Sequence, residues 1–127
     1  MAHGIEKRRC RRFEIPGAEV KFKKTGLLVF AQAFSEPYHA SNISKGGVAF
    51  TCDKKLSIGT KLVVQLLIPD EVPLNFNSIV RRQEQIMGSE RKLTGVEFMP
   101  FGGRHGWNKI ELLDTLRKLD RKYGGDY

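Results

Sequence analysis

Cysteine is scarce in this sequence, and long apolar runs are missing. The 127 residues include two cysteines, Cys10 and Cys52, which are too few for the disulfide framework of a small secreted protein. The best apolar runs, such as Leu62–Ile68, fall well short of the roughly 20 residues that span a bilayer. Met1–Arg12 has no apolar segment beside its charges, so no signal peptide is expected. We therefore predict a cytoplasmic protein with reduced thiols and no membrane contact.

Motifs for metal binding and catalysis are also missing. His3, His39 and His105 lie far apart in the sequence, and no Cys/His pair has zinc-ligand spacing. There is no Gly-x-Ser-x-Gly, no His-Glu-x-x-His and no phosphate-binding loop that ends in Gly-Lys-Ser or Gly-Lys-Thr. We therefore expect no metal, no cofactor and no enzymatic activity.

Positive charge, in contrast, is abundant. Twenty-two Lys and Arg residues against 14 Asp and Glu residues give a formal net charge of +8. Such a balance favours an anionic partner, whether nucleic acid, nucleotide or acidic lipid. The apolar fraction of 40% and the length of 127 residues are typical of one globular domain with its own core.

Short segments of alternating apolar and polar residues, separated by turn residues, fill most of the chain. This alternation predicts antiparallel strands at Ala18–Lys24, Leu27–Phe34, Tyr38–Ile43, Val48–Cys52, Lys61–Ile68, Leu74–Arg82 and Lys92–Met99.

The period changes after Pro100. Apolar residues then recur every three or four positions, which predicts an amphipathic helix from Trp107 to Tyr123 that ends at Gly124-Gly125 and packs on the strands. The expected fold is all-β with one C-terminal helix, as a six- to seven-stranded antiparallel barrel. We predict a flexible basic arm over residues 1–12, the barrel over 13–101 and the packed helix over 102–127.

The basic arm contains a cluster of arginines. Lys7–Arg12 carries five cations in six residues, and Arg8 and Arg12 are separated by three residues. A guanidinium offers a planar fork of donors that fits a phosphate or the O6/N7 edge of guanine. The cluster alone fits equally well a solvated arm or an arm that binds nucleic acid nonspecifically.

A second polar cluster precedes the predicted strand at Val48. Asn42 and Ser44 share one face of an extended segment, while Ile43 faces the other way. Their amide and hydroxyl groups can contact the Watson–Crick edge of a purine. Gly46 and Gly47 are expected to permit positive φ at the turn and close approach of a ligand. An ordinary Asn/Ser turn before a strand explains the same residues.

Together, the two clusters resemble the motifs of the PilZ family. Arg8-x-x-x-Arg12 stands near the N-terminus, and Asn42-x-Ser44-x-x-Gly47 follows about thirty residues later and opens a strand. Arg81-Arg82 after an apolar strand and Gly95-Val96-Glu97-Phe98 resemble late strands of the family. The resemblance covers about Glu6 to Phe101.

The resemblance implies a PilZ-like split barrel that binds the bacterial second messenger cyclic di-GMP and is a receptor. Arg8 and Arg12 would hold phosphates and guanine edges, and Asn42 and Ser44 would contact a guanine. Asn42 stands where Asp is commoner in the family, and its neutral amide has one acceptor oxygen. Lys7, just before the first motif arginine, implies that the ligand binds as a stacked dimer. The expected ligand-binding residues are Lys7, Arg8, Arg9, Arg12, Asn42, Ser44, Gly46 and Gly47.

Two other functions remain open at this point. A small barrel could bind nucleic acid through the basic arm, although that function gives Asn42 and Ser44 no role. A family member without ligand binding could act only as an interaction module, although the intact motifs argue against it. As a receptor, the protein would signal to a downstream protein, which the sequence does not identify, through ordering of Lys7–Arg12.

Overall fold

The strands of this protein close into a barrel. The structure, a computed structural model, describes residues 12–25 and 33–124. Within these ranges the strands pair antiparallel and close in the order β1-β2-β3-β6-β5-β4. The elements are β1 (Glu19–Lys24), β2 (Tyr38–Ile43), β3 (Gly47–Cys52), β4 (Lys61–Leu67), β5 (Leu74–Gln85), β6 (Lys92–Phe98) and the helix α1 (Ile110–Tyr123).

This architecture confirms the predicted all-β barrel with one C-terminal helix. The additional strand predicted at Leu27–Phe34 falls mostly on residues 26–32, which lie outside the described residues. Its last two residues, Ala33 and Phe34, are described and are not part of a strand. The predicted arm over residues 1–12 lies almost wholly outside the described residues as well.

Inward-facing apolar side chains fill the barrel, as the period of two requires. Along β4, Leu62, Val64 and Leu66 are fully buried, while the residues between them are half-buried. Phe50 and Phe76 are the largest of the fully buried side chains. The interior of the barrel is therefore filled by the chain's own side chains.

Strand β5 extends beyond the predicted Leu74–Arg82. The prediction ended too early because a β-bulge interrupts the alternation of the strand. The register with β6 shifts between Val80 and Arg82, so that Arg81 is the extra residue. The side chain of Gln83 donates to Thr94 Oγ1 at 3.0 Å. The sequence does not show that the strand continues past the two consecutive arginines, because a bulge breaks the period of two on which strand prediction depends.

The helix begins at Ile110, so the prediction that it starts at Trp107 is wrong. Asn108 is buried, and its side-chain amide donates to the carbonyls of Met99 and Asn77 at 2.9 and 3.0 Å. Its Oδ1 accepts the backbone N–H of Asn77 at 2.7 Å. These hydrogen bonds hold the segment before the helix against the barrel in a non-helical conformation.

The apolar stripe of α1 is only partly buried. Leu116 and Leu119 belong to the same buried cluster as the barrel interior, and Tyr123 packs against that cluster. Ile110, by contrast, is 50% exposed, because the non-helical segment at Asn108 fixes where the first turn begins. The stripe therefore faces the core along most of the helix, from Leu112 to Tyr123. The proposed division of the chain into arm, barrel and helix stays a prediction.

Candidate functional site

Arg12 is held next to the β2–β3 turn by its neighbour in the chain. Phe13 is buried and forms an isolated antiparallel bridge with Ile43, in which each backbone N–H donates to the other carbonyl at 2.8 Å. In an antiparallel pair of this register, Arg12 lies across from Ser44. Because Phe13 and Ile43 face inward, Arg12 and Ser44 lie on the outer face of the barrel.

The turn from β2 to β3 is fixed by its own hydrogen bonds. Ser44 Oγ accepts the backbone N–H of Gly46 at 3.1 Å, and the backbone N–H of Ser44 donates to the carbonyl of Gly47 at 2.9 Å. The carbonyl of Gly46 accepts the backbone N–H of Phe98 at 2.8 Å. Ser44 Oγ therefore keeps its hydroxyl proton available to donate to a bound group.

Gly47 is required by close packing and not by backbone conformation. An added Cβ at Gly47 would lie 2.1 Å from the carbonyl oxygen of Val96 on β6. Neither Gly46 nor Gly47 is among the described glycines with positive φ, so the expectation of positive φ at this turn is wrong. The missing side chain lets β3 and β6 approach and leaves the surface beside Ser44 open.

Two β-bulges lie on either side of the β3–β6 pair. One falls in β2 between Ala40 and Asn42, and the other falls in β5 at Arg81. Bulges often re-aim side chains beside functional sites. Both here lie at the level of Ala49 and its partner on β6.

The bulges create a row of four residues across the outer face. Asn42 pairs with Ala49, Ala49 pairs with Gly95, and Gly95 pairs with Arg82. An added Cβ at Gly95 would lie 2.9 Å from Nε of Arg82, so the arginine side chain covers this glycine. Three strand spacings separate the two ends of the row, a distance of about 14 Å. Ala49 and Gly95 form the floor between the two ends of the row, and the Arg82 side chain lies over the Gly95 part of it.

An ion pair lies beside this floor. Arg81 Nε donates to Oε1 of Glu97 at 2.6 Å, and the two side chains are 57% and 53% exposed. Glu97 is the β6 partner of Gly47. A surface pair of this kind contributes little to stability, but both groups remain accessible to a ligand.

These features together form one groove of about 240 Å³ on the outer face of the barrel. Among its charged groups are three guanidiniums and one carboxylate, so the groove is positive overall. The lining residues are Arg12, Asn42, Ser44, Gly46, Gly47, Val48, Ala49, Arg81, Arg82, Gly95, Val96 and Glu97.

The structure brings together the predicted site residues that it describes. Arg12, Asn42, Ser44, Gly46 and Gly47 all line the groove. The other predicted site residues, Lys7, Arg8 and Arg9, lie outside the described residues.

Three charged lining residues were not predicted as site residues. The sequence singles out Arg81 and Arg82 only as a pair after an apolar strand, and Glu97 only as part of the Gly95–Phe98 segment. The sequence signal for Arg81 and Arg82 is two consecutive cations where a strand should alternate. This signal indicates a place in the groove only once the pairing of β5 with β6 is known.

Groups with shifted pKa values lie at the opposite end of the barrel. Burial raises the pKa of Tyr38, and its hydrogen bonds to the carboxylates of Glu36 and Asp53 raise it further. The same hydrogen bond from Tyr38 lowers the pKa of Asp53. Tyr38 begins β2, whereas Asn42 lies near its other end. These groups link two loops and do not take part in the groove.

The described ranges, 12–25 and 33–124, contain no cluster of three His, Cys, Asp or Glu residues that could hold a metal. They contain no helix that is long and apolar enough to cross a membrane. Cys52 is a buried free thiol, and Cys10 falls outside these ranges.

Similarities to known proteins concern most of the chain. Residues 6–113 match the family described as PilZ domain, whereas no curated protein matches the chain. Three solved structures each match 91% of this chain. The first is an inhibitor of motility from Bacillus subtilis, MotI/DgrA, with 17% sequence identity and a TM-score of 0.68. The second is YcgR from Escherichia coli in complex with c-di-GMP, with 11% identity and a TM-score of 0.68. The third is the MrkH–c-di-GMP complex of K. pneumonia, with 18% identity and a TM-score of 0.63.

This chain spans about half the length of those proteins, covering 50%, 45% and 52% of MotI/DgrA, YcgR and MrkH respectively. At such low identities the likeness establishes the shared fold.

Proposed function

The chain belongs to the PilZ domain family, and we propose that it is a receptor that binds cyclic di-GMP in the groove on the outer face of its barrel. The observation that carries the proposal is the convergence of Arg12, Asn42 and Ser44 on this groove, beside a glycine where no side chain fits. The presence of c-di-GMP in the YcgR and MrkH structures supports the same ligand for this chain.

The chemistry of the groove suits a cyclic dinucleotide. The ligand carries two phosphates and two guanines, and guanidinium forks can donate to phosphate oxygens or to the O6/N7 edge of guanine. Arg12 and Arg8 are proposed to take these contacts, while Asn42 and Ser44 contact one guanine base. The floor at Ala49 carries no large side chain, and the Arg82 side chain that covers Gly95 presents a guanidinium on which a base can stack.

The arm is proposed to close over the ligand. Lys7, Arg8 and Arg9 precede Arg12, which the Phe13–Ile43 bridge holds at the edge of the groove. A short connection from this anchor can bring the arm across the bound phosphates, and Lys7 is then available to a second, stacked ligand molecule. We propose that the rearranged surface is recognised by a protein partner, because the sequence carries no catalytic motif. We propose that the chain acts in the cytoplasm, where a bacterial second messenger is made.

Isothermal titration of cyclic di-GMP into the purified chain tests the proposal. We expect Arg12→Ala to weaken binding roughly 10- to 100-fold, because a charge-assisted hydrogen bond contributes about 1.5–3 kcal/mol. Arg12→Lys should not restore affinity, since an ammonium lacks the planar fork. Arg121→Ala is the matched control, because Arg121 is an exposed helix residue that does not line the groove.

The fold of each variant is checked by its thermal unfolding midpoint. Because Arg12 is exposed and outside the core, Arg12→Ala should unfold at the same temperature as the unmodified chain. Equal affinity of Arg12→Ala and Arg121→Ala for cyclic di-GMP would show that the ligand does not use this groove. Absence of binding by the unmodified chain would refute the receptor function itself.

A further inference from the structure

Glu97 is the one carboxylate among the described residues that line the groove. A carboxylate beside a site for a dianionic ligand repels the phosphates, so its presence there needs an explanation. Its position on β6 is opposite Gly47, and Gly47 follows the turn that begins at Ser44. Gly47 carries no side chain, so β3 places none directly opposite Glu97.

The ion pair with Arg81 fixes the direction of this carboxylate. The hydrogen bond from Arg81 Nε to Oε1 of Glu97 uses one carboxylate oxygen and one of the five guanidinium N–H groups. The second oxygen and the terminal nitrogens of the guanidinium lie in side chains that are about half exposed. The pair therefore presents donors and acceptors side by side at the wall of the groove.

This arrangement matches the Watson–Crick edge of guanine. That edge carries one acceptor, O6, followed by two donors, N1–H and the exocyclic N2 amine. A guanidinium N–H can donate to O6 while the neighbouring carboxylate accepts from N1–H and N2–H. Adenine has an amino donor in place of O6 and an unprotonated N1. Its amino group would meet the N–H donors of the guanidinium, and the lone pair of its N1 would meet the carboxylate.

We propose that the Arg81–Glu97 pair reads the Watson–Crick edge of one guanine and that Glu97 is a specificity-determining residue of the groove. The inference rests on the proposed function. The ligand has two guanines, and Asn42 and Ser44 on the β2 side account for one of them. Asn42 has a single neutral acceptor, whereas the carboxylate of Glu97 offers two oxygens and a charge, which strengthens its hydrogen bonds.

The test compares Glu97→Gln with the unmodified chain against two ligands. Cyclic di-GMP presents N1–H and N2–H, and cyclic di-IMP carries hypoxanthine, which keeps O6 and N1–H but lacks the exocyclic amine. We expect Glu97→Gln to weaken binding of cyclic di-GMP about tenfold, from the loss of a charge-assisted base contact. The preference for cyclic di-GMP over cyclic di-IMP should shrink in the same variant. A residue that only shapes the groove would not change this preference.

Glu90→Gln is the matched control, because Glu90 is exposed in the β5–β6 loop and does not line the groove. It should leave both affinities and their ratio unchanged. Unfolding midpoints of the variants establish that each remains folded.

Unchanged or tighter binding of cyclic di-GMP by Glu97→Gln would overturn the inference and make Glu97 merely a counter-ion of Arg81. That outcome leaves the receptor function intact. Failure of the unmodified chain and of Glu90→Gln to bind either ligand would instead refute the proposed function on which the inference rests.

Discussion

At the scale of single residues, the groove depends on what two of its members lack. Gly47 has no side chain to meet the carbonyl of Val96, and Gly95 has none to displace Arg82. The sequence marks Gly47 through the spacing Asn42-x-Ser44-x-x-Gly47, but the positive φ expected at this turn is not the reason for the glycine. The reason is the close approach of two backbones, which depends on a β3–β6 pairing between residues about fifty positions apart.

Replacement of Gly47 by alanine should therefore damage both the fold and the site. The added methyl group would lie 2.1 Å from a backbone oxygen, so β3 or β6 must move. Overpacking of this kind costs about 1–3 kcal/mol, which denaturant unfolding would detect. The displaced strands should also weaken binding of cyclic di-GMP, because both contribute residues to the groove.

Gly103→Ala is the control for that measurement. Gly103 is exposed, and no atom lies within 4 Å of the position where its Cβ would be. The free energy of unfolding of Gly103→Ala should therefore stay within about 0.5 kcal/mol of that of the unmodified chain. If Gly47→Ala proved as stable as Gly103→Ala, the close approach of β3 and β6 would not be what requires the glycine.

At the scale of elements, alternation and helical period predicted where regular structure occurs, but not where it bends. Six predicted strands are present, and the helix follows them. The bulge at Arg81 and the late start of the helix were not predicted. Both arise from long-range contacts: pairing of β5 with β6, and the hydrogen bonds of Asn108 to residues of β5 and beyond β6. A local pattern in the sequence contains no information about such partners.

The N-terminal arm is the element whose response to ligand distinguishes a folding-over mechanism from a rigid site. Five cations in Lys7–Arg12 repel one another, and a dianionic ligand would cancel this repulsion. We expect added cyclic di-GMP to increase amide protection from hydrogen exchange in Lys7–Arg12 and around Asn42–Gly47. The region of α1 around Leu116 and Leu119 should change little, because these residues are buried in the core.

Hydrogen exchange with mass spectrometry at saturating ligand makes this comparison directly. Ordering of the arm costs roughly 1–2 kcal/mol per residue fixed, so affinity should be moderate. Unchanged exchange in Lys7–Arg12 would argue against closure of the arm. A large change in α1 would mean that the helix takes part in the output.

At the scale of the whole molecule, the closed barrel gathers segments that are far apart in the chain into one groove. The strand order places β3 beside β6 and β6 beside β5, and this brings together Arg12, Asn42–Gly47, Arg81-Arg82 and Glu97. The motif spacing predicted the first two segments, through a resemblance to the family. It could not predict the other two as site residues, because their place follows from strand order and from a bulge.

The net charge of +8 fits a nucleic-acid partner as well as a cyclic dinucleotide, so the charge alone does not decide between them. The proposed base contacts of Asn42, Ser44 and Glu97 would distinguish the two, because they add groups that select a base to the guanidiniums of the groove. If the protein contacted only the phosphate backbone of a nucleic acid, its affinity would fall steeply with salt concentration and would not depend on the base sequence. A receptor for cyclic di-GMP should prefer guanine at any salt concentration.

Isothermal titration of the unmodified chain with cyclic di-GMP, cyclic di-AMP, a single-stranded oligonucleotide and a duplex, at low and physiological salt, tests the central claim most directly. We predict that cyclic di-GMP binds tightest at both salt concentrations. Each mismatched base contact costs about 1–3 kcal/mol, so cyclic di-AMP should bind at least about tenfold more weakly. Equal affinity for the two dinucleotides, or tighter binding of either oligonucleotide at physiological salt, would contradict the claim that this groove is a cyclic di-GMP receptor site.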